Sequence, residues 1–190
     1  MPGLSDLLAD LTSGDEERAE AAVPLLVELG EEIVLPLKNL MRSTDADVRW
    51  WATRALASLP SLDPAILLSS LKDPAPEVRQ CAALGLCSHP SEITIDPLVN
   101  ALRDKDGMTA ELAAKALSII GAPAVERLMQ ELQSAPLSAR IHAMHALSEI
   151  ADPRSIPIMI AAMSEESAML HYWADAGLEK MGVNMVYFKP

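Results

Sequence analysis

The chain has 190 residues, half of them apolar but only 3% aromatic, and a formal net charge of −12. That length supports a domain with a real core, and an apolar fraction drawn mostly from Ala and Leu suits close-packed helices. The negative balance argues against nucleic acid as a partner, because DNA and RNA are held by Lys and Arg neutralising phosphates.

The chain starts with no apolar signal, and no run of 18 or more apolar residues occurs, so neither membrane insertion nor secretion is expected. The two cysteines, Cys81 and Cys87, lie six apart in one predicted helix and point to different faces. They are not expected to pair, which favours a reducing, cytoplasmic location.

Residues 1–12, with Leu4, Leu7, Leu8 and Leu11, read as an opening helix. Residues 1–32 hold nine acidic residues and one basic residue, Arg18. A charged end repeat keeps an exposed helical face soluble, and an ordinary solvated surface predicts the same, so no binding role is assigned to it.

From there a period of 30 or 31 residues governs the chain. Leu26, Leu56, Leu86, Leu117, Leu147 and Leu178 follow it, each with alanine four residues earlier: Ala22, Ala52, Ala82, Ala113, Ala143 and Ala174. The residue just before each leucine is small in five of six cases, Gly85 and Gly177 among them. This is a helix with one buried stripe, whose small residues let neighbouring helices approach closely.

A second helix is expected between these, marked by Leu40, Leu71, Leu102, Leu132 and Met163, with Leu37, Leu68, Val99, Met129 and Ile160 three residues earlier. Pro64, Pro97, Pro123 and Pro157 gather at its starts, where a missing N–H is tolerated. Pro36 sits deeper and predicts a helix that begins late or kinks. The total is twelve helices in six pairs.

The turn within each pair is periodic too. Ser13, Ser43, Asp73, Asp104, Ser134 and Glu165 stand where a side chain caps a helix or accepts from loop N–H groups. Six places later come Ala19, Arg49, Arg79, Ala110, Arg140 and His171, so a cation reaches for the acidic turn of its own or an adjacent repeat.

The pattern D-x-x-x-x-V-R-x-x-A-x-x-A/G-L is carried by Asp73, Val78, Arg79, Ala82, Gly85 and Leu86, and again by Val48, Arg49, Ala52, Ala55 and Leu56. It resembles the short HEAT repeats, about 30 residues long, of phycobilisome-lyase-type HEAT-like proteins. The first, fourth and sixth copies depart from it at the Arg position. The resemblance implies an all-α, right-handed α-solenoid of about six helix pairs, an armadillo-like superhelix forming one domain over 1–190. Its repeats would span 1–30, 31–60, 61–90, 91–121, 122–151 and 152–182, with 183–190 as a tail or cap.

The resemblance also implies that the V-R-x-x-A helices line a concave groove. Two places after the apolar mark stand Glu20, Trp50, Gln80, Glu111, Ile141 and Tyr172; six places after stand Pro24, Arg54, Leu84, Lys115, His145 and Ala176. Trp50, Ile141 and Tyr172 are the anomalies there, because large apolar groups at solvent-facing positions mark interfaces. The partner-binding set is therefore Trp50, Arg54, Gln80, Leu84, Lys115, Ile141, His145 and Tyr172. Arg49, Arg79, Arg140 and His171 form its edge. Trp51 and Trp173 share a register with Cys81, Leu112 and His142 that reads as packing between repeats.

His142 and His145 are three apart, with His171 one repeat on, but their registers aim them apart, and no carboxylate or cysteine joins at ligand spacing, so no metal is expected. His89 is two residues from Cys87, a spacing that rarely brings side chains together at a helix end, and no catalytic residue is assigned. Glu16/Glu17 and Glu165/Glu166 read as helix starts favoured by the macrodipole.

The expected function is a non-enzymatic scaffold or adaptor without a cofactor, binding a protein or peptide. The groove cations favour an acidic segment. The alternative that the resemblance raises is a bilin lyase-like or tetrapyrrole-handling subunit. A HEAT-like DNA glycosylase is disfavoured by charge.

Overall fold

The computed structural model describes residues 2–183, so all but the first residue of the tail expected over 183–190 lies outside the described residues. Among the described residues every regular element is helical. Contacts gather the chain into two compact units, Met1–His89 and Pro90–Pro190.

The first unit contains α1 (Leu4–Leu11), α2 (Glu16–Glu28), α3 (Val34–Leu40), α4 (Ala46–Ala57) and α5 (Pro76–Ser88). The second contains α6 (Ile95–Ala101), α7 (Gly107–Ile120), α8 (Val125–Ser134), α9 (Leu137–Ile150), α10 (Ile156–Ala162) and α11 (Ala168–Lys180). This is the helical-repeat, α-solenoid class, with one departure from the expected dozen α-helices. Between α4 and α5 the helix is replaced by two 3₁₀ turns, Pro64–Leu68 and Ser70–Lys72. Ser69 and Ser70 are poor helix formers, and the Ser70 hydroxyl is drawn to that of Thr53 at 3.0 Å. Pro36 and Pro97 are each the third residue of their helix, α3 and α6, and a 3₁₀ turn, Gly30–Ile33 or Glu92–Thr94, precedes each. The α3 helix therefore begins late, where the missing Pro36 N–H would have had no partner anyway.

The core is built by the repeated Leu and Ala. All six leucines of the 30-residue period are at 0% exposure, and their six alanines are at 2% or less. The small residue before the leucine is required by close approach. A Cβ on Gly85 would stand 2.7 Å from the Ala57 Cβ, and one on Gly177 would stand 3.0 Å from the Ser148 Cα.

The intervening helices bury the expected Leu37 and Val99 fully, but in three of them the deep residue stands one place earlier than expected. Leu67, Leu98, Leu128 and Met159 are fully buried, whereas Ile160, assigned to the core from its spacing, is 37% exposed. Leu68 and Met129 are only half-buried. Each deep residue precedes another apolar residue, so the sequence pattern alone does not choose between them.

Four helix-ending positions share one place in the period, four residues after the core leucine. Gly30, Gly121 and Gly182 have φ of 64°, 79° and 74°, and Ala151 follows them with φ 52°. Glycine adopts that left-handed turn without strain, and alanine does so only at a cost.

The turns are tied as their residue types predict, two residues out of step with the caps. The hydroxyls of Ser13 and Ser43 and the carboxylates of Asp73 and Asp104 accept from the N–H of the residue two further on. The capping side chains of α2, α4, α7 and α11 are Asp15, Asp45, Asp106 and Ser167. Arg49 forks onto Asp73 of the following repeat, Nε to Oδ2 at 2.7 Å and Nη2 to Oδ1 at 2.8 Å, and donates to the Ser43 and Thr44 carbonyls of its own turn. Arg79 donates to the carbonyls of Asp73 and Pro74. In the second unit Arg140 pairs with Glu165, again one repeat onward.

A charged link that sequence reasoning missed joins α8 to the turn after α6. Glu131, at 2% exposure, accepts from Arg103 Nε at 2.5 Å and lies 3.5 Å from Arg127 Nη1. It serves the repeat in which Ala110 occupies the Arg position.

Candidate functional site

In the first unit the partner-facing registers fall on α2, α4 and α5. Trp50 and Gln80 are half-buried, and Leu84 is 52% exposed. Trp50 meets Trp51 edge-on, with ring centroids 4.7 Å apart at 87°. The Arg54 guanidinium carbon lies 5.8 Å from the centroid of the Trp50 ring. Arg54 is held by Glu20 of α2, Nε to Oε2 at 3.0 Å and through a second contact from Nη2. That bond raises the Arg54 pKa further, against the opposing pull of burial. The structure thus gathers Trp50, Arg54 and Glu20 into one patch.

A recess of about 750 Å³ opens beside this patch, at the amino-terminal ends of α2, α4 and α5. Its lining includes Glu16, Asp45, Asp47, Trp50, Trp51 and Glu77. Trp51, assigned to packing between repeats, is half-exposed on this recess, because the α4 turn places consecutive indoles at right angles.

In the second unit the registers fall on α7, α9 and α11. Tyr172 is 60% exposed, Lys115 is exposed, and Ile141 is half-buried. His145 stacks on Trp173 with centroids 3.9 Å apart at 18°, and Tyr172 meets Trp173 edge-on at 4.9 Å. A recess of about 390 Å³ lies alongside, lined by Met108, Glu111, Lys115, Ile119, His145 and others. Burial lowers the pKa of both His142 and His145, and the charge of Glu111 at His142, and of Glu149 and Glu111 at His145, offsets this only in part. The downward shift favours the neutral imidazole at this face.

Among the edge residues, Arg49, Arg79 and Arg140 reach turn groups of their own or an adjacent repeat. Arg49 and Arg79 are 9% and 5% exposed and serve their turns. Arg140 is committed to Glu165, and its Nε is buried with no hydrogen-bond partner, as is the Nε2 of His171. Of the five cations expected to orient a ligand, Arg49, Arg54, Arg79 and Arg140 are engaged within the chain, leaving Lys115 on the surface without an ion pair among the described residues.

The thiols and His89 form bonds consistent with scaffold roles. Burial pushes the Cys81 thiol up to about 12, against the countering charge of Arg54, so it is not a thiolate at neutral pH. Cys87 donates to the Ala83 carbonyl at 3.5 Å, and His89 Nε2 lies 2.9 Å from the Ala57 carbonyl.

A family model for HEAT repeats matches residues 64–137. No curated protein matches the sequence. Among solved structures, an archaeal HEAT-like repeats protein from Thermococcus onnurineus NA1 aligns with TM-score 0.67 and 15% identity, covering 95% of this chain and 81% of that one. A structure of the complex of CpcE and CpcF of phycocyanin lyase from Nostoc sp. PCC7120 aligns with TM-score 0.58 and 24% identity over 74% of this chain and 95% of that one. A designed armadillo repeat protein in complex with the peptide (KR)4 aligns with TM-score 0.53 and 19% identity over 95% and 100%. With its 30-residue Leu and Ala stripes buried and its Asp and Arg tying the turns, the chain has the fold of the HEAT-like and armadillo repeat proteins, and residues 64–137 match the HEAT-repeat model.

Proposed function

We propose that the chain is a non-enzymatic interaction module that captures a protein or peptide segment on the exposed faces of its second helices. The observation that carries this is the aromatic row of α11 and α9: Tyr172, 60% exposed, ordered against Trp173, which in turn stacks on His145. Solvated helix positions are ordinarily filled by small or charged residues, and a rigid aromatic left open there provides contact area at little entropic cost. Trp50 occupies the same register in the first unit. The likeness to a designed armadillo protein that holds a peptide supports the same use of such a face.

The partner's charge is not set by the cations singled out from sequence, since most of them are bound within the chain. Contact would come from Trp50, Leu84, Ile141 and Tyr172, and Lys115 is the cation left to orient a ligand in the second unit.

The test is affinity capture from the native lysate with wild type, Trp50→Ala and Tyr172→Ala. Helicity by circular dichroism is expected to be unchanged. Retention of the captured partner is expected to fall by about tenfold or more for each variant, as for interface anchors. Capture that survives both substitutions overturns the assignment.

A further inference from the structure

We propose that the recess at the amino-terminal ends of α2, α4 and α5 binds an arginine-bearing peptide segment. The guanidinium would lie against Trp50 and Trp51 and among the carboxylates of Glu16, Asp47 and Glu77. This rests on the reading that the α4 face captures a protein partner, and it names that partner's chemistry.

Two independent features converge on a cation. The first is the wall. Trp50 and Trp51 are consecutive in the chain, yet both line the recess, with rings 4.7 Å apart and nearly perpendicular at 87°. Two perpendicular indoles form a corner, and indole is the ring that best attracts a cation to its face. The chain already places one cation within reach of this pair: the guanidinium carbon of Arg54 lies 5.8 Å from the Trp50 ring centroid.

The second feature is charge. The lining contains Glu16, Asp45, Asp47 and Glu77 and no Lys, Arg or His. Asp45 is occupied in capping α4, while Glu16, Asp47 and Glu77 are exposed and make no ion pair among the described residues. A carboxylate in a first helical turn is favoured by the macrodipole on any helix, which explains each acid singly. It does not explain why three such ends surround two partly exposed indoles. Residues 1–89 carry fourteen acidic and seven basic residues, so the wider field also draws cations in.

The recess, about 750 Å³, falls in the range of sites that enclose a ligand, and it is open enough for a side chain to enter from an extended segment. Arginine fits better than lysine, because its planar guanidinium stacks on an indole while forking onto a carboxylate. An acidic segment would meet like charge here.

The experiment uses the full chain with Trp173→Phe, so that tryptophan fluorescence reports Trp50 and Trp51. The probe is an acetylated, amidated peptide of alternating Arg and Gly, with the Lys and Glu counterparts as controls. The Arg peptide is expected to change the fluorescence saturably and to bind more weakly as salt rises. Affinity is expected to fall by about tenfold in Asp47→Asn/Glu77→Gln, whose near-isosteric exposed substitutions keep the fold. If Trp173→Phe fails to fold, anisotropy of the labelled peptide on the wild-type chain gives the same comparison.

Equal binding of the Glu peptide, or unchanged affinity in the double variant, overturns the proposal. Free arginine amide binding as tightly as the peptide would make the recess a small-cation pocket and overturn the segment assignment. If the Arg peptide fails while capture of a partner still depends on Trp50, this inference falls and the capture face stands. If capture is also indifferent to Trp50, both fall.

Discussion

Arg49 is a charged side chain in the service of backbone geometry. It satisfies two carbonyls of its own turn and both oxygens of Asp73. Burial alone would raise the Asp73 carboxyl. The Arg49 bonds, the Ala75 N–H and the charges of Arg49 and Arg79 together outweigh burial and hold it below the usual carboxylate value. Arg49→Ala leaves that carboxylate buried without its fork and is expected to destabilise by about 3–5 kcal/mol, with Arg49→Lys intermediate. The sign of the pH dependence follows. A depressed folded-state value adds stability above the unfolded value, about 4, and that stability is lost as pH falls through the folded value. In Arg49→Ala burial acts on Asp73 with less opposition. Urea unfolding at neutral and acid pH should therefore show the gap between wild type and variant narrowing below roughly pH 4.

At the scale of the helix, the ends and the close contacts make separate demands. Ala151 closes α9 in the left-handed conformation that glycine supplies at the matching place in three other repeats. Ala151→Gly should stabilise by about 1 kcal/mol, seen as a melting midpoint higher by about 3 °C. Gly85→Ala should act oppositely, because the added methyl meets the Ala57 Cβ at 2.7 Å. Overpacking of about 1–3 kcal/mol opposes a helix-propensity gain of about 1, so the midpoint should fall or at best hold. Much of this was legible in the sequence. A Leu and Ala stripe repeating every 30 or 31 residues leaves no other face to bury, and the Gly at two leucine-preceding positions marks where helices touch. The intervening helices were less legible. The pairs Leu67–Leu68, Leu128–Met129 and Met159–Ile160 are apolar at both places, so periodicity does not choose the deeper one, and Leu98 and Val99 are both fully buried. Glu131 was illegible for a different reason: a glutamate in a polar helix face gives no sign of burial until Arg103 and Arg127 are brought to it.

Across the whole molecule, function was less legible than architecture. Spacing placed Trp50 and Tyr172 in one register and brought the Arg residues near an acidic turn, but it could not choose which turn each would reach, because the partner lies 24 or 25 residues away. The packing also sets where the chain opens. The α1 helix packs on α2 and α4, whereas α4 meets α2, α3 and α5, and α9 meets α7, α8 and α11. Amide hydrogen exchange should accordingly be fastest in α1 and slowest in α4 and α9, and equal protection throughout would contradict a stack held by nearest neighbours. The forward reach of Arg49 to Asp73 and of Arg140 to Glu165 has one more consequence. These two links run from a cation in one repeat to a carboxylate in the next, so the turns have a chemical direction, whereas Arg54 and Lys180 on the helices reach back to Glu20 and Glu149. Within the turn links, shortening from the carboxyl end strands a guanidinium already sunk among carbonyls, whereas shortening from the amino end frees a turn carboxylate that water can receive. Turn links of this kind make loss and addition of units unequal at the two ends.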